Sequence, residues 1–245
     1  MTPRADGRGL DALRQVQVHR NFVGAAPGSV LISAGCTAVL CTVSLVDKLP
    51  PWMLPTEGGW ITAEYRMLPA STSPRKPRAD RPDGRATEIQ RLIGRSMRSV
   101  VRMSELGGRT LYLDCDVLRA DGGTRTLSIT GAFIAMIDAL WSIRSEFDGG
   151  RLPVTDSVAA VSVGLVGDTP MLDLCYTEDF AAAVDMNLVM TGRGRFVEIQ
   201  GTGEEATFSD DHLASFLELG KKGIAELTRI QAESLGERFV FDSVY

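Results

Sequence analysis

The sequence predicts an α/β (α+β) fold, a single unit of two βα halves in which mixed sheets pack against helices. Apolar runs switch between the two-residue period of strands and the 3.6-residue period of helices, and they do so twice along the chain. Neither a linker nor an internal repeat separates the halves. With 245 residues, 44% of them hydrophobic and 23% charged, the chain has material for a substantial core.

The elements follow in order. Ser29–Ser33 and Ala38–Val46 are β-rich and flank Gly35, which predicts a hairpin. Seven of the eleven prolines fall between residues 50 and 82, together with Gly58 and Gly59, predicting a long, exposed, irregular region. Thr87 and Gln90 have capping-box spacing ahead of a stripe formed by Ile89, Leu92, Ile93, Met97, Val100 and Val101, so a helix is expected there. Thr110–Leu118 alternates like a strand, and a helix buried on most sides is expected from near Thr124, with its apolar body at Ser128–Ile143. The second half predicts strands at Val158–Val166, Met171–Tyr176, Asn187–Met190 and Phe196–Gln200, a short helix at Glu178–Val184, and a long amphipathic helix over Asp210–Leu235.

The net charge of -5 argues against a polyanionic partner only as an average. Residues 66–102 hold ten bases (Arg66, Arg75, Lys76, Arg78, Arg81, Arg85, Arg91, Arg95, Arg98, Arg102) against Asp80, Asp83 and Glu88, so this segment is at +7 and the remainder at -12. A long basic loop in a compact domain is a candidate for contact with phosphates. Arg91, Arg95, Arg98 and Arg102 share one helix face without compensating acids at i±4, an arrangement that asks for a partner. A solvated basic face and the arginine bias of a GC-rich genome are the plain alternatives.

Other classes are excluded. No apolar run reaches the roughly 18 residues of a membrane span, and Met1–Arg8 is unlike a signal peptide, so a soluble cytoplasmic protein with no membrane partner is expected. Cys36, Cys41, Cys115 and Cys175 lack metal spacing and are expected to be buried, reduced thiols. The only histidines, His19 and His212, stand apart from every motif, and no Gly-x-Ser-x-Gly or Walker string exists. Gly201–Ala206 loosely matches a dinucleotide loop, but Glu204 and Glu205 would face the pyrophosphate.

Two features carry chemistry. Gly122-Gly123-Thr124-Arg125 is a strand-to-helix turn whose glycines admit an anion to backbone amides at a helix start, with Arg125 adding a fork. Glu178, Asp179 and Asp185, with Asp173 just before them, offer hard oxygen ligands of the type Mg2+ takes. A plain glycine turn and ordinary acidic helix capping are the structural alternatives.

Several strings together resemble bacterial ribonuclease PH: Arg4-x-Asp6-Gly7-Arg8, Gly59 to Pro69, Glu88 to Arg95, Asp114 to Val117, Ala120 to Thr126, Glu178-Asp179 with Asp185-Met-Asn187, and Glu198 to Thr202. The resemblance covers residues 1–236 as one catalytic domain and leaves 237–245 as a tail. It implies a ribonuclease PH-type fold and phosphorolysis, in which inorganic phosphate removes the 3'-terminal nucleotide of an RNA, chiefly a tRNA precursor, as a nucleoside diphosphate. By position it places the phosphate on Arg85, Gly123, Thr124 and Arg125, a divalent ion on Asp179 and Asp185, and tRNA on basic residues of the proline-rich loop, among them Arg75 and Arg78; the helix face adds Arg91, Arg95 and Arg98 as RNA-binding candidates. It further implies a homohexameric ring, a trimer of dimers. Ala70 stands where the family usually has arginine, and the basic loop looks a few residues shorter than usual. Two other readings stay open at this point: a non-catalytic RNA-binding ring subunit of an exosome-like assembly, and a magnesium-dependent small-molecule phosphotransferase.

Overall fold

The structure is a computed structural model that describes residues 4–54, 58–78, 83–204 and 206–241. Arg81 and Asp80 of the basic segment, Glu205, the first three residues and tail residues 242–245 lie outside the described residues.

The first half is a five-stranded sheet in the order β1-β2-β3-β5-β4, built from β1 (Val16–Arg20), β2 (Gly28–Ala34), β3 (Thr37–Val46), β4 (Trp60–Met67) and β5 (Thr110–Arg119). The expected hairpin is β2-β3, turned by Gly35 at φ 54°, in the left-handed region that glycine enters without strain. β4 runs parallel to β5, so the chain between them must cross over, and helix α1 (Gly84–Arg98) lies in that crossover. The second half is an antiparallel sheet in the order β7-β6-β8-β9, formed by β6 (Val158–Val166), β7 (Thr169–Leu172), β8 (Ala182–Thr191) and β9 (Phe196–Gly203).

Helix α2 (Thr124–Ser142) packs on β2 and β3 of the first sheet and on β6 of the second, which is why it is buried all round rather than amphipathic. Small residues permit the approach: a Cβ on Gly131 would stand 2.6 Å from Ile32 and 2.9 Å from the Cys41 sulfur. One apolar core joins α1, α2 and the first sheet, and it extends to Val158, Ala160, Val189 and Leu235 of the second half. A second core lies between the second sheet and helix α4 (Asp210–Leu235). Buried Gln231 of α4 donates to the carbonyls of Val158 (2.9 Å) and Thr130 (3.2 Å), tying α4 to β6 and α2 at once.

Several expectations change. The 50–82 region is not irregular throughout: it contains β4, and Ser71 is buried with its carbonyl accepting from Ala120 N at 2.9 Å. α1 opens at Gly84 rather than Thr87, because the Asp83 carboxylate accepts from Ala86 N at 2.7 Å; the Thr87 hydroxyl instead donates to the Asp83 carbonyl. The strand expected to reach Tyr176 ends at Leu172, helix α3 spans only Tyr176–Ala181, and β8 begins at once, so Asp185 stands on a strand. Of the four free cysteines only Cys41 and Cys115 are buried; Cys36 is exposed in the hairpin turn and Cys175 is half-buried. Phe241 of the tail packs edge-on against Phe133, with Phe239 beside it. Among the described residues no helix is long and apolar enough to cross a membrane.

The Asp83 cap yields a pH-dependent prediction. The amide hydrogen bond from Ala86 and the Lys76 ion pair hold its carboxyl below the ordinary 3.8. A lowered carboxyl stabilises the fold above its ordinary value and loses that contribution as pH falls toward the folded one. Asp83→Ala should therefore cost about 1 kcal/mol at neutral pH, and the difference between variant and parent in urea unfolding should shrink below pH 3.8.

Candidate active site

Between β5 and α2 the backbone turns through Gly122 (φ 74°) and Gly123 (φ 64°). The left-handed conformation and the crowding both require glycine: a Cβ on Gly122 would lie 2.5 Å from the Leu174 carbonyl, and one on Gly123 2.8 Å from Arg14 Nη2. Gly123 caps α2 with no side-chain acceptor, so the first amides and the positive end of a 19-residue helix remain open to an anion.

This turn forms one wall of a pocket of about 480 Å³. The pocket brings together Arg85, Gly123, Thr124, Arg125, Asp179 and Asp185, six residues singled out from sequence that come from both halves of the chain. Thr72, Ser73 and Pro74 close another side, which gives the start of the basic loop a place beside the chemistry. Glu204 and Asn187 also line it; neither was assigned a role from sequence.

Each side chain is held by a specific neighbour. The Thr124 hydroxyl meets the buried Tyr65 hydroxyl of β4 at 2.8 Å. Arg125 Nη1 donates to Gln200 of β9 (2.5 Å) and Glu88 of α1 (3.2 Å), so its partner is not substrate alone: helix α1 and the second sheet orient it. Glu88 and Gln200 lie in recognised strings, but no local spacing shows that they converge on Arg125. Arg85 is exposed at the first turn of α1.

The acidic group divides. Asp179 and Asp185 face the pocket. Burial raises Asp179 above its ordinary carboxyl value, with Glu204 adding to the rise and Arg85 and Arg125 opposing it. Asp185 is raised to about 6, by burial first and then by the charge of Asp179, against Arg125 and Arg85. Asn187 Nδ2 reaches Asp185 Oδ2 at 3.4 Å. Glu178 and Asp173 belong elsewhere. Glu178 caps α3 and is gripped by both Arg4 Nε (2.8 Å) and Nη2 (2.6 Å), while Asp173, beyond the end of β7, is paired with Arg14. The distant arginines neutralise these two carboxylates, which removes them from the acidic set.

The candidate RNA residues are also sorted. Arg75, Arg78 and Arg91 are exposed. Arg95 bonds Glu198 on β9 at 2.6 Å, and Arg98 stacks over Trp60 at 4.5 Å while donating to the Ile61 carbonyl. Arg102 pairs with Glu105. α1 ends at Arg98, so Arg102 lies beyond it rather than on its face; Arg95, Arg98 and Arg102 find partners inside the chain, while Arg91 is exposed on the helix.

Sequence models of the 3' exoribonuclease family match the chain in two parts, domain 1 over residues 12–141 and domain 2 over residues 156–223. Ribonuclease PH of Listeria innocua is 53% identical over 240 residues, 96% of each chain, and ribonuclease PH of Rhodopirellula baltica is 54% identical over 232 residues, 92% of this chain and 94% of that one. Among solved structures, rice (Oryza sativa) Rrp46 superposes with a TM-score of 0.78 at 19% identity, covering 95% of this chain and all of that one. A chain of the Archaeoglobus fulgidus exosome with RNA bound to the active site gives 0.79 at 24% identity, covering 93% and 92%. These two likenesses concern the fold.

The crowding at Gly122 is directly testable. Gly122→Ala should lower stability by about 1–3 kcal/mol in urea unfolding, because both a positive φ and a backbone contact oppose the added methyl.

Proposed function

We propose, for a chain that belongs to the 3' exoribonuclease family and within it to the ribonuclease PH group, a phosphate-dependent 3'-to-5' exoribonuclease that trims tRNA precursors and releases nucleoside diphosphates. One observation supports the chemistry above all: an open helix start with Arg85 and Arg125 shares a single pocket with the Asp179–Asp185 pair.

The reaction needs positioning and charge neutralisation more than a covalent nucleophile. Inorganic phosphate lies against the Gly123–Thr124 amides between Arg85 and Arg125. One of its oxygens attacks the phosphorus of the last phosphodiester. The bond from that phosphorus to the 3' oxygen of the preceding nucleotide breaks, that oxygen takes up a proton, and the terminal nucleotide leaves as a diphosphate. Arg125, braced by Glu88 and Gln200, keeps its charge at a fixed place as negative charge shifts toward the leaving oxygen.

The donor chemistry of the acidic pair fits a hard dication. Two carboxylates raised by burial, with the charge of Asp179 further hindering ionisation of Asp185, are relieved by Mg2+, which needs only one or two protein carboxylates. Asp179 and Asp185 would hold it, and when bound it would supply charge neutralisation for the phosphate oxygens.

RNA reaches the pocket past the basic loop. Arg75 and Arg78, exposed between β4 and α1, and Arg91, exposed on α1, meet backbone phosphates; Arg95 and Arg98, already engaged within the chain, add to the field. Assembly as a hexameric ring, a trimer of dimers, would gather these loops around a shared opening. A non-catalytic ring subunit has no need of phosphate arginines and an acidic pair in one pocket, and a small-molecule phosphotransferase has no use for the loop.

Incubation of a tRNA bearing extra 3' nucleotides should give nucleoside diphosphates only when phosphate is present; monophosphates, or trimming without phosphate, would overturn the assignment. Arg85→Ala should lower kcat/KM for phosphate by about 100-fold with an unchanged melting temperature, since the side chain is exposed. Affinity for tRNA should fall steeply with salt, and a flat plot of log affinity against log salt would contradict a footprint on several phosphates.

A further inference from the structure

We infer that Arg14, Thr37 and Asp173 form a buried clamp of positioning residues that sets the phosphate turn in register with the segment carrying Asp179. The inference rests on the reading of the pocket as a phosphate site and assigns residues that act on it from behind.

None of the three lines the pocket, and all are buried. Arg14 Nη1 donates to the Asp121 carbonyl and, at 3.4 Å, to that of Gly122. The Thr37 hydroxyl donates to the Gly122 carbonyl at 2.7 Å and accepts from Asp121 N at 3.0 Å. Asp121, which leads into the turn, is therefore held at both its amide and its carbonyl, and Gly122 at its carbonyl. Arg14 also grips Asp173 from three atoms: Nη2 to Oδ1 (2.7 Å), Nε to Oδ2 (3.0 Å) and the backbone amide to Oδ2 (2.8 Å). The 2.8 Å separation between a notional Gly123 Cβ and Arg14 Nη2 shows that the guanidinium lies directly against the turn.

Asp173 transmits the placement to the acidic side. It has φ 53°, costly for a residue with a side chain, and is held there because its carbonyl accepts from Arg4 (3.0 Å) and Arg8 (2.7 Å) while Arg14 holds its carboxylate. Three residues on, α3 begins, and Tyr176 N donates to Asp121 Oδ1 at 3.2 Å. Asp179 stands on that helix. The anion cradle and the segment that leads into α3, from opposite halves of the chain, are thus both held by one guanidinium–carboxylate pair. Catalysis by positioning is sensitive to displacements of about 1 Å, so loosening the clamp should act on phosphate rather than on RNA.

Arg14→Ala would strand the Asp173 carboxylate in the interior and risks unfolding, so the informative variants are at Thr37. Thr37→Val keeps the shape and removes the hydroxyl; Thr37→Ser keeps the hydroxyl. The measurements are phosphate affinity by calorimetry, RNA affinity in the absence of phosphate by fluorescence anisotropy, and KM for phosphate and for a tRNA with extra 3' nucleotides. The expected result is that Thr37→Val weakens phosphate binding and raises KM for phosphate by about tenfold, leaves RNA affinity within about twofold and keeps the circular dichroism of the parent, while Thr37→Ser restores phosphate binding. Unchanged phosphate affinity in Thr37→Val, equal losses for phosphate and RNA, or failure of Thr37→Ser to rescue would each overturn the clamp. A parent protein that binds phosphate but trims no RNA would overturn the proposed function alone, with calorimetry still deciding the clamp. A parent that binds no phosphate would overturn both.

Discussion

The backbone of Gly122 lies closer to Leu174 and Cys175 than any side chain allows, and the site depends on that approach. The turn belongs to the first half of the chain and the segment it touches to the second. Each half supplies part of a pocket that neither holds alone: the amides and two arginines on one side, the carboxylates on the other. Helix α2, which begins at this turn, then runs buried between the two sheets, so the contact that builds the pocket is continuous with the core that joins the halves.

The electrostatics follow from the same enclosure. Burial in the pocket wall raises the cost of ionising the two carboxylates, and Arg85 and Arg125 reduce that cost without cancelling it. Glu178 and Asp173 are committed to Arg4 and Arg14, so they do not add to the negative charge that faces Arg85 and Arg125. An average of -5 describes none of this. What matters is which charges are paired inside the protein and which are left facing the cavity.

Elements with strong local periodicity were legible in the sequence: β6 and α4 have the boundaries their patterns suggest, and the β2-β3 hairpin turns where glycine permits. β4 was hidden because prolines and glycines flank it, and only its parallel partner β5 makes it a strand. The glycine turn at the start of α2 and the Asp179–Asp185 pair were legible as motifs. The removal of Glu178 and Asp173 from that acidic group was not, since their partners are Arg4, 174 residues away, and Arg14, 159 residues away. The bracing of Arg125 by Gln200, 75 residues on, was invisible for the same reason. Spacing reveals what a single helix or turn can do, while pairing across the fold decides which of the candidates stays free to do it.

The parallel pairing of β4 with β5 obliges the chain to leave one edge of the sheet and return, and the basic loop is part of that detour. Such a connection can change length at little thermodynamic expense, because closure entropy grows only logarithmically, by about 0.6 kcal/mol for each doubling. A shorter loop, or an alanine at position 70, therefore leaves the architecture intact. Substrate preference and structural integrity are carried by different variables here, and a lineage is free to retune the first by insertion, deletion or charge exchange while the second stands still.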